Sequence, residues 1–237
     1  MQMPANSDNL SLMPLTCDWV LYVYSKSAFK KLSNTDSDIK PYKEVCKLKT
    51  VNDLIYIVKL MGMKSDSSDV LNLDKNDYIF MRDGIEPIWE DPKNEKGGTF
   101  SIKLNHEDGY DLWTQIMFHV FSDSLTTTPD QMKYVNGISV SFIMGNNFYQ
   151  NVRSTRPQNF TYIKIWDGCA GRNLESFLSV IQPEIVNKLG KYSVMYAANN
   201  SKKDFGKDKI VNNLSKAKKR PELNTDDDRH YRGKRYY

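Results

Sequence analysis

The sequence is poor in the residues that build disulfide frameworks, zinc sites and membrane spans. It contains only three cysteines, which are widely separated and form no Cys-x-x-Cys pair: Cys17, Cys46 and Cys169. This number and spacing argue against a disulfide framework and a structural zinc site, and they favour a reducing intracellular compartment. No apolar run approaches the length of a membrane span, and residues 1–13 lack the basic-then-apolar pattern of a signal peptide. We therefore expect a cytoplasmic protein that has no membrane partner.

Groups that carry catalysis are also scarce. The three histidines have no Cys, Asp or Glu at the spacing of a metal site or a catalytic triad. Gly97 and Gly98 are not followed by the Lys-Ser/Thr pair of a phosphate-binding loop, so a tight turn is expected there. The sequence therefore indicates a binding protein rather than an enzyme, with no metal and no cofactor.

The charge is close to balanced. Lys and Arg total 33 against 29 acidic residues, which gives a formal net charge of +4. This excess permits contact with phosphate groups without requiring it. The length of 237 residues suits one compact domain with tails. We predict a flexible N-terminal segment over residues 1–16, one domain over 17–214, and a basic, disordered tail over 215–237.

Hydrophobic patterning predicts strands interspersed with helices. Segments rich in β-branched and aromatic residues predict strands at 19–24, 78–81, 100–104, 137–143, 162–166 and 192–196. Residues 25–41 are predicted to form a long loop, and Phe29 and Tyr42 are the isolated aromatic residues associated with it. The mixture favours an α+β domain with a mainly antiparallel sheet.

Three helices are predicted. Thr50 and Asp53 form a capping-box pattern at the start of the first helix. Residues 111–122 carry the clearest apolar stripe and predict the second. Asn173 is expected to cap the third, which Pro183 kinks or breaks before it ends at Gly190.

The most distinctive segment is Asp83-Gly-Ile-Glu-Pro-Ile-Trp-Glu-Asp-Pro-Lys-Asn-Glu-Lys-Gly-Gly98. Its two prolines exclude regular structure throughout, so Trp89 lies in a loop directly before the carboxylate of Glu90. Taken alone, Trp89 either anchors the loop in the core or forms the wall of a binding site.

The segment from Asp83 to Gly98, followed by a strand, resembles the signature of the initiation factor 4E family, whose members bind the mRNA cap. Shorter matches extend the resemblance over residues 14–201: Pro14-Leu15 before Trp19, Thr50-Val-Asn-Asp-Leu54, Asp111-Leu-Trp113 and Ile163-Lys-Ile-Trp166. The resemblance implies a curved, mainly antiparallel sheet with three helices on the convex face and a cap-binding slot on the concave face.

The resemblance also implies a guanine site formed by Trp89, Glu90 and Trp166. An indole face attracts the delocalised positive charge of 7-methylguanine, and a carboxylate accepts two hydrogen bonds from the guanine edge. The family places another stacking aromatic residue in the loop after the first strand, where this chain has rebuilt the sequence. We predict Tyr42 in that role, with Phe29 as the alternative.

The expected phosphate clamp departs from the family pattern. Ile143 and Tyr162 stand where the family has Arg and Lys. Strand alternation puts Lys164 on the same face as Trp166, so Lys164 is predicted to bind the triphosphate. The other basic residues predicted to contribute are Arg153, Arg156, Lys202 and Lys203.

The resemblance implies a partner surface for an initiation factor 4G-like scaffold or a 4E-binding repressor. The matching positions are Pro14, Val51, Ile55, Thr114, Gln115 and Phe118. Val51, Ile55 and Phe118 also lie off the predicted core stripes, and a cluster of exposed apolar residues is typical of an interface. Ile55 stands in place of the family's Trp, and Gln115 in place of its Glu.

Three hypotheses follow. The chain binds the 7-methylguanosine cap and recruits capped mRNA for translation initiation through a scaffold partner. Alternatively, it is a cap-binding translational repressor or storage variant that does not engage initiation factor 4G. In a third hypothesis it is an interaction scaffold that no longer binds the cap.

Overall fold

The computed structural model describes residues 13–25, 40, 42–62, 76–143 and 159–199. Within them the strands are β1 (Pro14–Ser25), β2 (Tyr42–Thr50), β3 (Asn76–Arg82), β4 (Gly98–Asn105), β5 (Val135–Ile143), β6 (Phe160–Asp167) and β7 (Ser193–Ala198). The helices are α1 (Val51–Gly62), α2 (His106–Phe121), α3 (Pro129–Met132), α4 (Leu174–Leu178) and α5 (Pro183–Leu189).

The seven strands form one sheet in the order β2-β1-β3-β5-β6-β4-β7, and every neighbouring pair is antiparallel. The predicted α+β fold class, with a curved antiparallel sheet, is confirmed. None of the helices in the described part of the chain combines the length and apolar character needed to cross a bilayer.

The main core lies between the helices and the convex face of the sheet. Alternate strand residues such as Trp19, Phe80 and Phe100 point into it and are fully buried. The apolar stripe predicted for the second helix packs against them, and Trp113 is 1% exposed. The opposite, concave face carries a smaller apolar cluster of Val20, Tyr22, Ile79, Met81 and Ile85.

Local capping explains where two of the helices begin. The N–H of Thr50 donates to Asp53 Oδ2 at 2.9 Å, and the N–H of Asp53 donates to Thr50 Oγ1 at 3.2 Å. Asn173 caps α4 through a reciprocal pair with Ser176. The predicted third helix is broken into α4 and α5, and Pro183 occupies the first turn of α5, where its missing N–H leaves no hydrogen bond unmade.

Four elements differ most from expectation, and one of them, the short helix α3, was not predicted. Strand β2 was also not predicted, and Tyr42 is its first residue rather than a loop residue. β2 is an edge strand in which only Leu48 is fully buried, so its hydrophobic alternation is weak. Helix α2 begins at His106, ahead of its apolar stripe, and β1 begins at Pro14 rather than at Trp19.

Candidate functional site

Strand register brings Trp166 and Lys164 to the concave face. Trp166 of β6 lies between Gly137 of β5 and Thr99 of β4, and Lys164 occupies the next outward-facing position. Both side chains are half-buried. They therefore share one face of the sheet, two residues apart on the same strand.

Trp166 packs against the small concave-face cluster together with Tyr24 and Tyr42. Its ring is half-buried, while its Nε1 atom is shielded from solvent and has no hydrogen-bond partner among the described residues. The indole is thus held against the sheet with part of its ring accessible.

Trp89 lies in the loop over residues 83–97, here named the Trp89 loop. The loop opens with a turn at Gly84, whose φ of 78° is a left-handed value that glycine adopts without strain. Trp89 is 39% exposed and Glu90 is also exposed, whereas Ile85 is 3% exposed. Ile85 therefore anchors this loop in the sheet, and Trp89 stays available at the surface.

Two polar side chains cross-link the Trp89 loop internally. The carboxylate of Asp91 accepts hydrogen bonds from the N–H groups of Glu86 at 2.9 Å and Lys93 at 2.8 Å. The amide of Asn94 donates to the carbonyls of Glu86 at 3.0 Å and Ile88 at 2.8 Å. These bonds bracket Trp89 and Glu90 and fix the backbone that carries them.

Further contacts attach the loop to the sheet. Asn136 Nδ2 donates to the Lys93 carbonyl at 2.8 Å and to Asn94 Oδ1 at 3.0 Å. Asn199 Nδ2 donates to the Asn94 carbonyl at 2.7 Å. A Cβ added at Gly97 would lie 1.8 Å from the carbonyl oxygen of Asp167, so the loop contacts the end of β6 backbone to backbone, one residue from Trp166.

A buried polar network holds that end of β6. Asp167 accepts hydrogen bonds from Arg172 Nη1 at 3.1 Å, the Tyr196 hydroxyl at 2.8 Å and the N–H of Cys169 at 3.1 Å. Burial raises the pKa of Asp167 although Arg172 lowers it, and burial together with Asp167 raises the pKa of Tyr196. The network positions the strand directly behind Trp166.

Tyr42 enters the concave face from β2. The Tyr42 hydroxyl donates to Glu86 Oε2 at 2.7 Å, and Lys40 Nζ donates to Glu86 Oε1. The Tyr42 ring packs edge-on against the Tyr22 ring, with 5.6 Å between the ring centroids. The hydrogen bonds from Lys40 and then Tyr42 lower the pKa of Glu86, whereas burial and the Glu86 contact raise the pKa of Tyr42. Tyr42 is thus linked to the Trp89 loop through Glu86.

The predicted partner residues all lie on the helical side of the molecule or beside it. Pro14 is exposed and pairs with Thr50, and the N–H of Val51 donates to the Met13 carbonyl at 2.9 Å. Pro14 and Val51 are therefore neighbours, and Ile55 is half-buried one turn further along α1.

The second helix contributes the rest of that surface. Phe118 is 45% exposed, Thr114 is half-buried and bonded to its own helix, and exposed Gln115 accepts a hydrogen bond from Lys188 Nζ at 2.7 Å. Sequence reasoning did not include Tyr56, which is 61% exposed on α1. The remaining predicted site residues lie outside the described part of the chain: Phe29, Arg153, Arg156, Lys202 and Lys203.

The positioning residues Glu86, Asp91, Asn94 and Asn136 were missed in the sequence. Asp91 and Asn94 flank Pro92 in the sequence, and Asp or Asn in such a segment is typical of side-chain to backbone turns; Glu86 and Asn136 carry no such signal. The arrangement as a whole combines accessible indole surface, a carboxylate and a lysine. Such groups suit a flat, cationic ligand with hydrogen-bond donors on one edge and an anionic tail.

Comparison with known proteins points to one family. The family model described as "Eukaryotic initiation factor 4E" matches residues 14–210. The "Eukaryotic translation initiation factor 4E homolog" of Acanthamoeba polyphaga mimivirus is 39% identical over 236 residues, which cover 89% of this chain and 87% of that protein. Initiation factor 4E of Saccharomyces cerevisiae is 29% identical over 136 residues, which cover 56% and 58% of the two chains.

Solved structures agree on the fold. The crystal structure of Ascaris suum eIF4E-3 with the m2,2,7G cap superposes with a TM-score of 0.53 at 17% sequence identity, covering 84% of this chain and 98% of that one. The complex of the same protein with the m7G cap gives a TM-score of 0.51, covering 82% and 94%. At this level of identity the likeness concerns the fold.

Proposed function

Because the chain belongs to the eukaryotic initiation factor 4E family, we propose that it binds the 7-methylguanosine cap of mRNA and recruits capped mRNA for translation initiation in the cytoplasm. One observation carries the proposal. The exposed pair of Trp89 and Glu90 sits on a cross-linked loop that is attached to the strand end bearing Trp166.

Trp89 and Glu90 recognise the base. Methylation at N7 gives guanine a delocalised positive charge, which the exposed indole face of Trp89 attracts with about 1–2 kcal/mol when the pair is desolvated. The Glu90 carboxylate accepts hydrogen bonds from the guanine N1–H and amino group, a charge-assisted contact that adenine cannot make. Trp166 contacts the N7-methyl group, and the backbone N–H of Trp89 donates a hydrogen bond to the guanine O6.

Tyr42 supplies the second stacking wall. It packs against the same small cluster as Trp166, and its hydroxyl donates a hydrogen bond to the exposed carboxylate of Glu86. A phenol ring attracts a cation less strongly than an indole. Tyr42 therefore contributes less to cap affinity than Trp89.

Lys164 receives the phosphates. It lies on the concave-side face of β6, next to Trp166 in the outward alternation. Lys164 is two residues from Trp166 on the strand, so its ammonium group contacts the triphosphate where the triphosphate extends away from the guanine base. Arg153, Arg156, Lys202 and Lys203 remain predicted contributors.

Titration with a cap nucleotide tests the proposal. Adding m7GTP should quench tryptophan fluorescence, since stacking on Trp89 alters the emission of its indole, and GTP should bind about tenfold or more weakly because it lacks the cation–π contribution. Equal binding of m7GTP and GTP, or no binding of either, would refute cap recognition. Trp89→Phe serves as the matched variant, since it keeps a stacking ring and removes the indole.

The helical side recruits a protein partner. An initiation factor 4G-like scaffold or a 4E-binding repressor docks on this surface, which is formed by Pro14, Val51, Ile55, Gln115 and Phe118. Exposed Phe118 is its most accessible apolar side chain. Phe118→Asp should abolish capture of a scaffold-derived helix while m7GTP affinity stays unchanged, and unchanged capture would remove α2 from the surface.

A cap-binding repressor or storage role is the second candidate. The observation that favours it is Gln115, whose side chain is neutral and already bonded to Lys188, so it offers a basic partner no charge. Pull-down with the cognate scaffold protein separates the two roles. Cap binding without scaffold capture supports the repressor or storage role, and capture supports initiation.

A further inference from the structure

Strand β6 presents an aromatic and basic stripe beyond Trp166. Its outward residues are Phe160, Tyr162, Lys164 and Trp166, and all four are half-buried. Residues two apart on a strand are spaced about 6.7 Å along the sheet, which exceeds the spacing of about 3.4 Å between stacked bases. Each ring therefore has room for one base face of an extended strand.

Lys103 of β4 joins this stripe from the side. It lies opposite Tyr162 in the register. Its Nζ atom is 4.0 Å from the ring centroid of Phe160 and 5.8 Å from that of Tyr162. The two rings thus hold an ammonium group beside themselves through cation–π contacts.

Charge is divided across the concave face. Among the described residues, no outward position on β5, β6, β4 or β7 is Asp or Glu; those positions hold small, apolar, polar and basic side chains. Within the same described ranges, neither Lys103 nor Lys164 forms an ion pair. The carboxylates Glu44 and Asp77 lie on β2 and β3 instead. This half of the face therefore complements an anionic chain.

We propose that Tyr162, Phe160 and Lys103 bind the first nucleotides that follow the cap on the RNA. The inference rests on the proposed cap site at Trp166 and extends it. The phosphates pass Lys164, the next base stacks on Tyr162, and Lys103 contacts the following phosphate. Stacking on an aromatic ring accepts any base, so this subsite adds affinity for RNA without requiring a particular sequence.

The test compares two ligands on the full chain: m7GTP, and a capped RNA pentanucleotide. Wild type should bind the pentanucleotide more tightly than m7GTP. Tyr162→Ala should weaken pentanucleotide binding about fivefold or more and leave m7GTP binding unchanged. Tyr162→Phe should behave as wild type, because the ring remains. Thermal unfolding of each variant shows that the fold is intact.

Salt dependence tests Lys103 separately. Lys103→Gln should lower the slope of log affinity against log salt for the pentanucleotide by about 0.7, the value for one phosphate contact on a single strand. Lys191→Gln is the matched control, since Lys191 also contacts an aromatic ring, Tyr192, at 4.8 Å. Tyr56→Ala removes a tyrosine ring from α1, away from the proposed subsite, and should leave binding of both ligands unchanged.

The outcomes separate this inference from the cap site itself. Equal affinity of wild type for both ligands, or equal loss of both in Tyr162→Ala, would overturn the subsite while leaving cap binding in place. Failure of wild type to bind m7GTP would overturn the proposed function and, with it, the subsite. An uncapped pentanucleotide of the same sequence should bind far more weakly than the capped one, and equal binding would refute a subsite coupled to the cap.

Discussion

The Trp89 loop and the edge strand that carries Tyr42 meet the same concave face but are fixed there by different contacts. The loop is held through Asn94 and Asn136, which are 1% and 5% exposed and bond to backbone carbonyls. Tyr42 is held through Glu86 and Lys40, whose side chains are 43% and 58% exposed. Buried hydrogen bonds are little affected by salt, whereas exposed ion pairs are screened. The proposed wall at Trp89 is therefore preorganised, and the proposed wall at Tyr42 is adjustable.

The largest expected effect lies on the preorganised side. Glu90→Ala should lower m7GTP affinity by about a hundredfold, because two hydrogen bonds to a charged acceptor are lost together. Retention on immobilised 7-methylguanosine and fluorescence titration measure the loss. Glu95→Ala, in the same loop, should bind as wild type. If Glu90→Ala is retained normally, Glu90 does not contact the base.

The two walls should differ in their alanine variants. Trp89→Ala should cost about tenfold in m7GTP affinity, and Tyr42→Ala distinctly less, because an indole attracts a cation more strongly than a phenol. Tyr42→Phe keeps the ring, removes the bond to Glu86, and should change affinity less than Tyr42→Ala. Equal losses in the two alanine variants would mean that Tyr42 contributes as much to base binding as Trp89, against the expected order of the two rings.

Loosening the Trp89 loop should lower both the free energy of unfolding and the cap affinity, the affinity by less than in the variants above. Asn94→Ala removes two buried hydrogen bonds and an acceptor for Asn136, so we expect a loss of about 2–4 kcal/mol in the free energy of unfolding. Cap affinity should fall about fivefold, since the loop must then be ordered on binding. Urea denaturation and m7GTP titration measure the two effects.

Asn187→Ala, at an exposed position of α5, is the control for Asn94→Ala and should be nearly neutral. Full cap affinity in a destabilised Asn94→Ala variant would show that the loop does not need this cross-link to position Trp89.

The smallest effect concerns pH on the adjustable side. Lys40 and Tyr42 lower the pKa of Glu86 below its ordinary value of 4.5, so ionised Glu86 contributes stability above that pH, and the contribution is lost as pH falls through the folded-state pKa. The urea midpoint of Glu86→Gln should thus lie slightly below that of wild type at neutral pH. The gap should close below about pH 4.5 and in high salt; a gap that does not change with pH would assign the effect to packing.

What could be predicted from the sequence was local or periodic. The Thr50–Asp53 capping box, the break at Pro183 and the apolar stripe of α2 each depend on residues close in the chain. The common face of Lys164 and Trp166 follows from strand alternation alone. Strand β2 escaped because an edge strand with one fully buried residue carries no clear hydrophobic period.

The residues that position the candidate site could not be predicted from local patterns in the sequence. Asn94 and Asn136 meet through a hydrogen bond between distant segments. Asp167 finds Tyr196 only because β6 and β7 both pair with β4. Each of these contacts is created by the sheet order, which neither composition nor spacing encodes. The predicted site residues could be chosen from their chemistry in the sequence, whereas the residues that support them could be recognised only from the sheet topology.

The close backbone contact at Gly97, between the Trp89 loop and β6, limits how these two segments can change in related proteins. Since the two backbones touch where even a methyl group would clash, an inserted or deleted residue on either side would shift one indole relative to the other. Related proteins can therefore exchange side chains along these two segments more freely than they can change the segments' length.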